Sequence, residues 1–113
     1  MAAIGSPLDF VALNIYAPNY VRADMGPSGY KILPHLPSSP RIALPWLYVG
    51  PEVACWGVRT VSELWNPKAL YISENGTSAD DPIVDGRIGN SDRIMYLRNY
   101  LAEFHRATIE GYP

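Results

Sequence analysis

The sequence predicts an α/β fold: part of a (β/α)8 TIM barrel, about two of its eight strand–helix units. Three observations carry this. Segments alternate in the order strand, loop, helix, strand, loop, helix, which implies parallel strands covered by helices. Neither strand-like run alternates polar with apolar residues, as expected where both faces of a sheet are covered. Finally, 113 residues are too few to close the ring, because a complete barrel takes about 250.

The elements follow in order. Leu8 to Asn14 is a short apolar run, rich in strand formers, and is the first predicted strand. Prolines and glycines then concentrate between Pro18 and Pro51, which predicts one long loop of the functional or mobile kind. Gly50-Pro51-Glu52 opens a helix, with Pro51 suited to its first position and Glu52 complementing the positive N-terminus. Ala54, Val58, Val61 and Trp65 recur on one face of it. Gly57 costs this helix about 1 kcal/mol relative to alanine unless close packing requires it. Asn66-Pro67 is a stop, and Ala69 to Ser73 is the second strand. Glu74-Asn75-Gly76 turns the chain, and a polar loop runs from Thr77 to Asn90. Asn90 or Ser91 can cap a last helix whose predicted buried stripe is Ile94, Leu97, Leu101, Phe104 and Thr108.

Composition narrows the function. The chain is 48% hydrophobic and 18% charged, which excludes a disordered tail. A net charge of −2, from 9 basic and 11 acidic residues, gives no electrostatic case for nucleic acid or an acidic membrane surface as partner. No apolar run approaches the ~20 residues that span a bilayer. Met1 to Pro7 lacks the basic and apolar regions of a secretory signal, so a cytoplasmic location is expected. The single cysteine, Cys55, permits no internal disulfide and reads as an inert buried thiol. His35 and His105 have no second ligand at metal spacing, and no cofactor is expected.

The segment richest in chemistry is Leu70 to Gly76. It places Glu74 just past the C-terminal end of a buried strand, the edge where barrel enzymes carry their catalytic groups. On position alone Glu74 reads equally as a solvated turn glutamate. Tyr16, similarly, reads as a loop aromatic at the edge of a core.

Ile72-Ser73-Glu74-Asn75-Gly76 resembles the Ile-Thr/Ser-Glu-Asn-Gly motif of family 1 glycoside hydrolases of the β-glucosidase type. Asp9 to Tyr16 is similar to that family's Asp-Phe-Leu-Gly-Leu-Asn-Tyr-Tyr segment, with Ala12 and Ile15 as departures. Asp85-Gly86-Arg87 and Asp92-Arg93-Ile94-Met95-Tyr96-Leu97 resemble the loop and helix that follow its nucleophile, and read as architectural. The resemblance covers nearly the whole chain and is weakest from Val21 to Leu44. It implies barrel strands six and seven, with residues 1–113 forming part of a single catalytic domain.

The resemblance also implies roles. Glu74 would be the nucleophile of a retaining mechanism. Tyr16 would donate a hydrogen bond to it and orient it. Asn14 would face the substrate, a β-glucoside or related oligosaccharide. Trp46, in Leu44-Pro45-Trp46, stands near the family's leaving-group tryptophan but lacks the preceding Met-Gly; it reads either as a ring stacked on a sugar or as a packed loop tryptophan. Asn75-Gly76-Thr77 fits a glycosylation acceptor, a coincidence with the catalytic motif. Retaining glycosidases need two carboxyl groups about 5–5.5 Å apart, and none of Glu52, Glu63, Glu103 or Glu110 lies in the family's Asn-Glu-Pro context for the acid/base. The implied partners are therefore the remaining barrel segments. Two alternatives stay open: an inactive remnant that only binds a sugar or a partner, and a free-standing α/β fold with Glu74 as a turn residue.

Overall fold

A computed structural model of the chain describes residues 6–113; the part of the signal-peptide reading that falls on residues 1–5 lies outside it. Two strands form the framework. β1 (Val11–Asn14) and β4 (Leu70–Glu74) pair in parallel, with Val11 opposite Leu70, Ala12 opposite Tyr71 and Leu13 opposite Ile72. The register then slips by one residue, so that Asn14 stands opposite Glu74. Each strand is followed by its helix, α1 (Glu52–Trp65) after β1 and α2 (Ser91–Ile109) after β4. This is the predicted pair of βα units.

The core lies where the two helices meet each other and the sheet. Ala54 packs with Tyr96 and Tyr100, while Cys55, Val58 and Ala107 pack over Leu70 and Ile72. Pro51 sits at the cap position, one residue before the first helical turn where the sequence predicted it. Asn66 closes α1 in the left-handed conformation, its N–H donating to the Ser62 carbonyl, and Pro67 prevents continuation. Gly57 has its packing reason: a Cβ there would lie 3.0 Å from Ile15 Cδ1. Asn90 occupies the N-cap of α2, but its side chain makes no capping hydrogen bond.

Three expectations are corrected. The long loop is not structureless: it holds a hairpin of β2 (Val21–Ala23) and β3 (Tyr30–Ile32) and an antiparallel bridge from Arg41 to Tyr48. The loop from Thr77 to Asn90 likewise holds β5 (Ile83–Val84) and β6 (Arg87–Ile88). Asp85 and Gly86 join them with φ of 51° and 71°, the positive pair that a two-residue hairpin turn requires.

The second correction concerns helix faces. In α1, Trp65 is 65% exposed rather than buried. In α2 the buried side chains are Tyr96, Tyr100 and Ala107, with Phe104 half-buried, whereas Ile94, Leu97 and Leu101 are 63%, 43% and 60% exposed and Thr108 is exposed. This helix is apolar on two sides. Its tyrosine side takes the core because the hydroxyls find partners there.

The third correction concerns the sheet. Its strands do alternate in burial: the helix-facing residues Val11, Leu13, Leu70 and Ile72 are half-buried, and Ala12, Asn14, Tyr71 and Ser73 are exposed. Among the described residues one face is covered by the helices and the other, carrying Ala12, Asn14, Tyr71 and Ser73, is open. The open form is visible in bulk quantities too. The chain exposes 8547 Å², against about 6,200 Å² for a closed monomer of its mass. Its radius of gyration is 17.2 Å, against about 13 Å for a closed domain of its length.

Candidate active site

The slip between β1 and β4 builds the site. Ser73 is passed over in the register, and its hydroxyl donates to the Asn14 side-chain oxygen at 2.7 Å and to the Leu13 carbonyl at 3.2 Å. Asn14 is thereby tied to β4 at the mouth of the sheet. Beyond the slip, the Ile15 N–H donates to the Glu74 carbonyl at 2.9 Å. The Asn75 side-chain amide donates back to the Ile15 carbonyl at 2.8 Å. Ile15 itself is buried against α1 at Gly57. The two strand ends are therefore fixed relative to each other before any functional side chain is placed.

From that frame the Tyr16 hydroxyl reaches Glu74 Oε2 at 2.6 Å. Such a length belongs to a charge-assisted O–H···O⁻ bond. Donating to the carboxylate, with burial and the negative charge of Glu74 as lesser causes, holds the Tyr16 phenol above its ordinary pKa of 10.0. Glu74 is exposed. A carboxylate open to solvent at the C-terminal end of a parallel strand, with one oxygen held by Tyr16 and no hydrogen bond to the other among the described residues, is chemically suited to attack an electrophilic carbon.

Trp46 is brought to the same place from the long loop. Leu47, only 2% exposed, anchors that stretch, and Trp46 beside it is 62% exposed. It lines a cleft of about 470 Å³ with Asn14, Tyr16, His35 and Tyr48. Its other side borders a second hollow with Tyr16, Asn75 and Gly76. Trp46 is thus neither packed away nor remote. His35 stacks on Tyr48, ring centroids 3.8 Å apart, and takes part in no cluster able to hold a metal among the described residues.

Several contributors escape a reading of the sequence. The Tyr96 and Tyr100 hydroxyls donate to the Tyr16 carbonyl, at 3.2 and 2.7 Å. Tyr100 accepts from the Gly50 N–H at 3.2 Å, and Tyr96 accepts from the Asn75 amide at 3.2 Å. Asn75 is therefore a structural bracket as well as a turn former. Arg93 pairs with Asp81 and donates to the Thr77 carbonyl at 2.7 Å, fixing the loop that leaves Glu74. The available signals were two tyrosines four residues apart on a helix, and an arginine one turn into it.

The other glutamates are engaged elsewhere. Glu52 accepts from Tyr20, Glu63 from Arg59 and Tyr112, and Glu103 and Glu110 pair with Arg106. Cys55 is buried, and desolvation pushes its thiol up. Among the described residues, no helix is long and apolar enough to cross a membrane.

The chain resembles known proteins along its whole length. The model of glycosyl hydrolase family 1 matches residues 1–113. Over 115 aligned residues the chain is 35% identical to β-glucosidase A of Thermotoga maritima, covering 100% of this chain and 25% of that protein. It is 34% identical to the 1,4-β-D-glucan glucohydrolase of Thermotoga neapolitana, covering 26% of it. The solved family 1 β-glucosidase from Thermotoga maritima superposes with a TM-score of 0.83 at 32% identity, over 99% of this chain and 25% of that one. The chain spans about a quarter of the length of these relatives and is an open part of their (β/α)8 barrel.

Proposed function

The chain belongs to glycosyl hydrolase family 1, and from that premise we propose that it supplies the nucleophile side of a retaining β-glucosidase. Residues 1–113 form part of one catalytic barrel domain, contributing strands six and seven. Glu74 attacks the anomeric carbon of a β-glucoside and forms a glycosyl-enzyme. Tyr16 holds the carboxylate in line, Asn14 meets the glycone, and Trp46 lies under the leaving group. A second carboxyl group, contributed by the rest of the barrel, protonates the departing oxygen and then takes a proton from the incoming water. The assembled enzyme works in the cytoplasm, a compartment that the single free Cys55 suits.

The observation that carries this reading is the 2.6 Å bond from Tyr16 to Glu74 across the ends of two parallel strands. That edge is where barrel enzymes perform their chemistry. The relatives support the substrate class: a β-glucosidase and a glucan glucohydrolase by name. One solved relative is a complex with glucoimidazole.

The test restores a complete barrel by setting these 113 residues in place of the aligned quarter of Thermotoga maritima β-glucosidase A. A 2-deoxy-2-fluoro glucoside should label Glu74, and Glu74→Ala should abolish labelling with the fold retained. A label on any other residue refutes the assignment.

A further inference from the structure

Behind the carboxylate lies a polar network that the retaining chemistry itself does not call for. Tyr96 and Tyr100 are 2% and 0% exposed, and their rings stack with centroids 4.0 Å apart. Both hydroxyls converge on one acceptor, the main-chain carbonyl of Tyr16. Each also accepts, Tyr96 from the Asn75 amide and Tyr100 from the Gly50 N–H. A phenol has one proton to give; Tyr100 directs its own at the Tyr16 carbonyl at 2.7 Å, and Tyr96 stands 3.2 Å from the same oxygen with the Tyr100 hydroxyl as a second partner. Buried tyrosines need some partner, but that need does not require two to share one.

We propose that Tyr96 and Tyr100 are positioning residues: by clamping the Tyr16 carbonyl they aim the Tyr16 phenol at Glu74. The argument is geometric. Tyr16 follows the strand end, where β1 has already left its ladder with β4. Its backbone is held on the near side by Ile15, bonded to Glu74 and Asn75. On the far side it is held by the two tyrosines of α2. With the main chain fixed at both ends, two side-chain torsions alone decide where the hydroxyl goes. Asn75, the neighbour of Glu74, joins the same network, so nucleophile and orienting tyrosine share one bracket.

This inference rests on the reading of Glu74 as nucleophile, and its test separates the two. In the completed barrel, trapping with the 2-deoxy-2-fluoro glucoside comes first. A label away from Glu74 overturns the nucleophile reading. Kinetics then compare Tyr16→Phe, Tyr100→Phe and the double variant, with kcat normalised to sites titrated by the trapping burst. That normalisation removes any unfolded fraction. Losing one uncharged hydrogen bond's worth of alignment predicts a kcat lower by about 3- to 10-fold for Tyr100→Phe, with KM little changed. If Tyr100 acts through Tyr16, the double variant is no slower than Tyr16→Phe alone. A purely structural role gives losses that multiply, or an unchanged kcat per titrated site. Either result, with Glu74 labelled, overturns the positioning role and leaves the nucleophile in place. Tyr96→Phe is the second variant, milder because the 2.7 Å bond from Tyr100 remains. Should Tyr100→Phe fail to fold, the cycle is run on Tyr96 with the same outcomes.

Discussion

Removing a single oxygen from Tyr16 is the sharpest perturbation of the proposed site. Tyr16→Phe keeps the ring, its packing and its charge, and deletes only the donor to Glu74 Oε2. The bond is 2.6 Å long, and bonds to an ionised acceptor are about twice as strong as neutral ones. Expressed in full in the transition state, that strength corresponds to a rate loss of about 10- to 150-fold. In the isolated chain Glu74 is exposed to water, which screens the contact, so the loss is to be read in the completed barrel. The phenol is held above 10.0. A raised folded-state value means the contact is present below pH 10 and is lost only as pH rises through the raised value, so an assay at pH 7 compares fully protonated Tyr16 with phenylalanine. The assay is steady-state hydrolysis of an aryl β-glucoside, with active sites titrated. An unchanged kcat, in an enzyme shown to label at Glu74, refutes the functional pairing.

The remaining predictions concern state, titration and packing. The 113-residue chain alone should self-associate on sizing chromatography and show no aryl β-glucoside hydrolysis, because its open sheet face and the exposed Ile94, Leu97 and Leu101 have no cover among the described residues; a stable monomer with activity lost in Glu74→Ala overturns this. The Tyr20 phenol, bonded to Glu52, is pushed up to about 12, so that contact contributes below pH 10 and is lost as pH climbs through about 12. Phenolate absorbance should register Tyr20 ionising late, and Glu52→Gln should bring it earlier. Gly50→Ala places a Cβ 2.5 Å from Pro18 Cγ, on a ring that cannot rotate away; a thermal melt of the completed barrel should show about 1–3 kcal/mol lost, and an unchanged melt would contradict the close approach.

What the sequence made legible is the part written in short-range rules. Strand, helix and stop signals placed β1, α1, β4 and α2 within a few residues, because apolar runs, Pro51 and Asn66-Pro67 act locally. The motif around Glu74 was legible for the same reason. The faces of α2 were not. Ile94, Leu97 and Leu101 outrank tyrosine on hydrophobicity, so periodicity assigned them to the core, yet they face outward. The helix has two apolar sides, and among the described residues only the tyrosine side is packed. The hairpin at Asp85-Gly86 was legible in principle from its turn residues, but the strands on either side are two residues long, too short for any pattern. The convergence of Tyr96 and Tyr100 on one carbonyl some 80 residues away lies beyond local rules, since it depends on where α2 crosses the end of β1.

The two sides of α2 differ in the range of the forces they use. Hydrogen bonds are directional and lose most of their strength within a fraction of an ångström, so groups that aim a carboxylate must be set by neighbours whose positions are tightly coupled. Here those neighbours come from four segments of the chain that meet at the strand ends: Asn14 to Tyr16, Gly50, Ser73 to Asn75, and the tyrosines of α2. Apolar burial is non-directional and scales with area, so the opposite side of α2 and the bare face of the sheet can receive whatever covers them without fixing an angle. The proposed orientation of Glu74 is thus built from groups of this chain, while its carboxylate stays open to water. On the proposed reading such a chain holds an aimed nucleophile and still lacks turnover, because aim and a second carboxyl group are separate requirements.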